Sequence, residues 1–140
     1  MSWLKKHKVM IPIDFSDQAF AALAASREFV EDASHLYVFH VLPMLHPTDP
    51  AVIWNTVTDE SREQKVEAAL QEKLVALGYE GAIIKVVIGN PDQEIIRYAK
   101  ANNIDLIVMP AHEEQGLSFL FGSITEYIVR HAPCSVLVVR

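Results

Sequence analysis

The chain has 140 residues, 51% of them hydrophobic and 21% charged, which fits one domain (residues 1–140) with a single packed core. Its net charge of −6 excludes non-specific binding to nucleic acid or to an anionic membrane, since both need a basic face. The one cysteine, Cys134, excludes an intrachain disulfide framework and a zinc cluster built from thiolates.

The N-terminal stretch MSWLKKHKVMIPIDFSD carries an apolar run too short for a signal peptide, and no stretch approaches the length of a membrane span. A cytoplasmic protein is expected. Lys8 to Ile13 reads as a buried strand, with Asp14 at its C-terminal end. Ser16 or Asp17 can cap the next helix, where Phe20, Leu23, Ala24 and Phe29 recur at helical spacing. His35 to Leu42 is a second strand, rich in aromatic and branched residues, and His40 within it reads as a core or edge histidine. The following loop holds Pro43, Pro47 and Pro50, together with His46 and Trp54. These could form a lid, although variable surface is the commoner use of such loops.

Asp59 to Leu77 is a long amphipathic helix, and Gly78 is a plausible stop for it. Ala82 to Ile88 is a third strand. Gly89-Asn90-Pro91 turns the chain, and Pro91 suits the first turn of a helix running to about Asn102. Asp105 to Met109 is strand four, Ser123 to His131 a helix, and Ser135 to Val139 a last strand. Ser123 with Glu126 can form a capping box. Strands and helices alternate throughout, and the strands are unbroken apolar runs. This predicts an α/β fold with a parallel sheet covered by helices on both faces. Ligands of such sheets bind beyond the strands' C-terminal ends at the topological switch point, which would bring Asp14 opposite the loop after Met109.

Four stretches carry a resemblance: VMIPIDFSDQA, HVLP, GNPDQEIIRYAKANNIDLIVMPAH and GLSFLFGSITEYIVRHAPCSVLVV. Together, in order and over essentially the whole chain, they resemble the universal stress protein family. The resemblance implies a Rossmann-like, adenine nucleotide alpha hydrolase-like domain. Its five-stranded parallel sheet would have the order 3-2-1-4-5. It also implies a homodimer through the last strand, here through Val136 and Val138, and an adenine-nucleotide site between strands one and four. A family carboxylate that contacts the nucleoside falls on Asp14, preceded by Pro12 and Ile13. A strand-two residue that touches adenine falls on Val41. Met109 ends strand four, and Gly122, Ser123, Ile124 and Thr125 match the family's closing glycine, hydroxyl and helix start.

The nucleotide-binding members carry G-x2-G-x9-G-[S/T] after strand four. Glycines there let the backbone approach the phosphates, and N–H groups at the helix start donate to them. Here the two leading slots fall on Met109 and His112 or, in the other register, on Pro110 and Glu113. Neither register offers a glycine, and Pro110 has no N–H to give. Glu113 and Glu114 would oppose a polyanion by about 1 kcal/mol per charge contact in a wet site. Gly116 can restore some flexibility. These departures from the family motif predict weaker binding than in the glycine-rich type, with AMP or ADP favoured over ATP.

Local readings stand beside these. Asp14 can make a turn with Ser16, and Ser123 can simply cap a helix. His112-Glu113-Glu114 is read as a solvated loop rather than a metal site, and no metal is predicted. Cys134 reads as structural. No G-x-S-x-G elbow, Walker lysine motif or H-E-x-x-H is present. Three functions follow in order: a cytoplasmic stress-response dimer with a weak adenine-nucleotide site, a family member acting on a protein partner without nucleotide, and a slow ATPase. The last ranks lowest because no general base or metal-binding set is visible.

Overall fold

The computed structural model describes residues 5–44, 58–111 and 123–140. Among these, the elements in chain order are β1 (Val9–Pro12), α1 (Asp17–Ser26), β2 (Leu36–Leu42), α2 (Asp59–Ala76), β3 (Ile83–Ile88), α3 (Pro91–Ala101), β4 (Leu106–Pro110), α4 (Ser123–His131) and β5 (Ser135–Val139). Short 3-10 turns at Arg27–Phe29 and Ala33–His35 join α1 to β2. The sheet is parallel throughout, in the order β3-β2-β1-β4-β5. Each strand falls within a residue or so of its expected place.

Side chains alternate across each strand, so the sheet has two cores. Val9, Ile11 and Ile13 point toward Ala19, Ala22 and Leu23 of α1 and Leu70 and Leu74 of α2. Met10, Phe39, Ile107 and Met109 face the other way, toward Ile95, Ile96 and Ala99 of α3 and Ile128 of α4. β4 is buried along its whole length, which is why it reads as an unbroken apolar run rather than an alternating one.

The termini of the elements have local causes. Ser16 caps α1 by accepting from the Ala19 N–H at 3.1 Å. Thr58 and Ser61 cap α2 reciprocally: each hydroxyl accepts from the other's backbone N–H at 3.0 Å. That helix ends in a Schellman motif, with Tyr79 N–H donating to Leu74 O at 2.8 Å and Gly78 N–H to Val75 O at 3.1 Å. Asn103, at φ 53°, closes α3 in the same way.

Strand four starts one residue later than expected because Asp105 has another task. Its carboxylate accepts from the backbone N–H groups of His7 and Lys8 at 3.0 and 3.1 Å, tying the entry of β1 to the entry of β4. Pro110, lacking an N–H, is tolerated as the final residue of β4.

Gly78 sits at φ +87°, and a Cβ placed there would meet nothing within 4 Å. Its substitution therefore carries a purely conformational cost. Gly78→Ala is expected to lower folding stability by about 1 kcal/mol. Urea unfolding measures this directly, and an unchanged midpoint would show that the helix end relaxes into another cap.

Candidate functional site

Beyond the sheet, β1 leads to one side and β4 to the other, so a crevice opens where their C-terminal ends part. A cleft of about 480 Å³, part of it open solvent, lies beyond the end of β1. Pro12, Ile13 and Asp14 contribute from the end of β1, Val41 from β2 and Ile124 from the first turn of α4. Phe39 and His40 of β2, with Pro91 and Ile95 of α3, complete it. Most of the lining is apolar. Asp14 and His40 are its ionisable side chains.

Asp14 is exposed, and its Oδ1 accepts from both the N–H and the hydroxyl of Ser16, at 3.0 and 2.5 Å. The local turn foreseen for this carboxylate is therefore present. It does not exclude a ligand, since a carboxylate offers about four lone-pair directions. Ile13 is 4% exposed and donates its N–H to Phe39 O at 2.8 Å, the last rung between β1 and β2. Val41 is half-buried and pairs with Val87 in β3.

The remaining expected residues lie elsewhere. Met109 is 2% exposed, packs between the sheet and its α3–α4 cover, and does not line the cleft. Thr125 is fully buried, and its hydroxyl donates to the Pro110 carbonyl at 3.3 Å. Its side chain thus ties the start of α4 to the end of β4 and is not presented to an anion. Ser123 is exposed in the first turn of α4. Ser123 is the first described residue of that helix. Glu126 pairs with Arg130 at 3.2 Å rather than reaching back as the far side of a capping box. Gly122 lies outside the described residues, as do Glu113, Glu114, His112, Gly116, His46 and Trp54.

His40, expected as a core or edge histidine, lies within β2 and also lines the cleft. It is half-buried in the cleft wall, and its Nδ1 donates to the Ile13 carbonyl. Pro91 and Ile95 lie on the expected helix, and their meeting with β2 depends on how α3 packs on the sheet.

Cys134 is half-buried. Burial pushes its thiol up, and the nearby Asp105 carboxylate adds to the rise against a smaller opposing effect of Lys6. It stays a thiol at neutral pH and reads as structural. Among the described residues, no group of three His, Cys, Asp or Glu side chains could hold a metal ion. No helix among them is long and apolar enough to cross a membrane.

Comparison with known proteins agrees with this architecture. The chain is 31% identical to universal stress protein MJ0531 of Methanocaldococcus jannaschii over 140 aligned residues, covering 95% of this chain and 81% of that protein. It superposes on universal stress protein UspA from Lactobacillus plantarum with a TM-score of 0.73, at 26% identity, covering 97% and 99% of the two chains. It shares its fold with a universal stress protein family protein from Arabidopsis thaliana, solved with AMP bound. That TM-score is 0.60, at 17% identity, covering 94% of this chain and 90% of the other. The universal stress protein family description matches residues 6–140. With the sheet order, the crevice beyond β1 and β4 and these likenesses in agreement, the chain belongs to the universal stress protein family.

Proposed function

We propose that this family member acts in the cytoplasm as a stress-response homodimer that binds an adenine nucleotide, AMP or ADP in preference to ATP. One observation carries the reading. Pro12, Ile13 and Asp14, Val41, and Ile124, from three separate parts of the sequence, line one mostly apolar cleft. An apolar slot with a carboxylate at its mouth suits a purine face and a ribose edge. The AMP-bound Arabidopsis thaliana protein, of the same fold, supports placing a nucleoside there.

The preference for few phosphates comes from the chain beyond β4. Pro110 can donate no N–H, and the Thr125 hydroxyl is already engaged with the Pro110 carbonyl. Among the described residues, what is left for an anion is the start of α4, with the exposed Ser123 in its first turn. One helix start suits one phosphate better than three. Glu113 and Glu114, outside the described residues, add charge of the wrong sign nearby in sequence.

Calorimetric titration with AMP, ADP and ATP tests this. AMP and ADP are expected to bind, with ATP weaker by about fivefold, the equivalent of roughly one repulsive charge contact. Flat titrations at millimolar AMP and ADP would overturn the nucleotide reading. They would leave a family member that works through protein contacts alone.

A further inference from the structure

We propose that His40 is a positioning residue of the cleft: its imidazole fixes the turn that presents the Asp14 carboxylate to a bound nucleoside. This deepens the nucleotide reading above and rests on it.

The chain leaves β1 through an unfavourable conformation. Phe15, directly after Asp14, has φ +66°, a region that L-residues with large side chains seldom enter. Nothing in Asp14-Phe15-Ser16 itself favours that conformation as a glycine would. It must be held by its surroundings, and His40 contacts it on both sides of Asp14. Before Asp14, the Ile13 carbonyl accepts from His40 Nδ1 at 2.5 Å. After Asp14, the Phe15 ring meets the imidazole edge-to-face, with centroids 5.5 Å apart and planes at 74°. Phe20 of α1 supports Phe15 from another side at 6.4 Å. Ser16 then binds Asp14 itself.

The anchor is rigid. His40 lies mid-ladder in β2, opposite Val86 of β3, between the fully buried Phe39 and the half-buried Val41. Its tautomer is set as well. A carbonyl only accepts, so the ring proton sits on Nδ1 and the neutral ring keeps Nε2 as an acceptor.

Two variants separate positioning from filling. In His40→Asn, the side-chain amide nitrogen lies near the place of Nδ1 and can still donate to Ile13. In His40→Phe, the ring volume and the edge contact with Phe15 remain, but the donor is gone. His40→Phe is expected to bind AMP about tenfold more weakly than the unaltered protein, the size of one lost hydrogen bond, and His40→Asn to recover most of that loss. Two nucleotide-free readouts accompany the titrations. Nitrogen NMR of the unaltered protein is expected to show His40 protonated at Nδ1 and bare at Nε2. The Ser16 amide resonance is expected to move in His40→Phe and to stay in place in His40→Asn.

The opposite tautomer would overturn the proposal, with no variant needed. So would His40→Phe binding AMP as tightly as the unaltered protein, or His40→Asn losing as much as His40→Phe. If the unaltered protein fails to bind AMP, the function reading falls. The tautomer and the Ser16 resonance still decide whether His40 holds the turn.

Discussion

Phe39→Ala is expected to cost about 3–5 kcal/mol of folding stability and to weaken AMP binding with it. Phe39 is 1% exposed at the centre of the sheet, in the core shared with α3 and α4. Its ring stacks on Tyr98 of α3, with centroids 4.7 Å apart and planes at 30°. Its neighbours cannot collapse into the space it would leave, because β2 is pinned by β1 on one side and β3 on the other. The same ring forms part of the cleft wall, so the void would merge with the site. Phe39→Leu keeps most of the volume and is expected to lose less than half as much. Urea unfolding with an unchanged m-value reads the loss. Tyr98 supplies a second readout, since burial pushes its phenol up and the nearby Tyr37 adds slightly. Water entering the void would bring that phenol down toward the ordinary tyrosine value, which an ultraviolet pH titration detects. A loss below about 1.5 kcal/mol would mean that the sheet does close over the gap.

The fold was legible where its causes are local or periodic. Apolar runs marked the strands, and their lack of alternation marked a parallel sheet. Gly78 and Pro91 marked a helix end and a helix start. The cleft was legible only in part. Met109 and Thr125 look like site residues from their positions, yet both belong to the interior. Which face Met109 takes depends on the register of β4 with β5, where it pairs with Val138. Sequence spacing does not set that register. Thr125 turns inward because the Pro110 carbonyl needs a donor there, a demand visible only once α4 is docked. His40 did leave a signal. It is the one ionisable residue in the apolar run Val38 to Leu42, and a polar group in a covered strand needs a partner. That partner, Ile13, is 27 residues away, just past the end of another strand, so the signal said that a contact exists without saying where. The left-handed turn at Phe15 left no signal, because neither glycine nor asparagine stands at that position.

Val138→Glu is expected to convert the proposed dimer to monomers, raising its dissociation constant about a hundredfold or more, while the protomer stays folded. β5 pairs with β4 along one edge, and among the described residues no strand covers the other. Five residues, Ser-Val-Leu-Val-Val, would thus offer open backbone groups and aliphatic side chains to any passing chain, a hazard unless something covers them. A second copy related by a two-fold axis covers both edges at once and leaves none over. The two candidate valines differ as probes. Val136 packs into the core shared with α3 and α4, so a charge there would also damage the protomer. Val138 is half-buried and belongs to neither core, which makes it the cleaner choice. In the dimer, two introduced carboxylates would lie near the axis without partners, and each would oppose the other as well as its own desolvation. Sedimentation velocity should show the unaltered protein as a dimer and Val138→Glu as a monomer with unchanged far-ultraviolet circular dichroism. AMP affinity should not move, because no β5 residue lines the cleft. Acidification below the glutamate pKa, about 4.3, neutralises the new charge and should restore part of the dimer. A Val138→Glu profile matching that of the unaltered dimer would place the interface elsewhere.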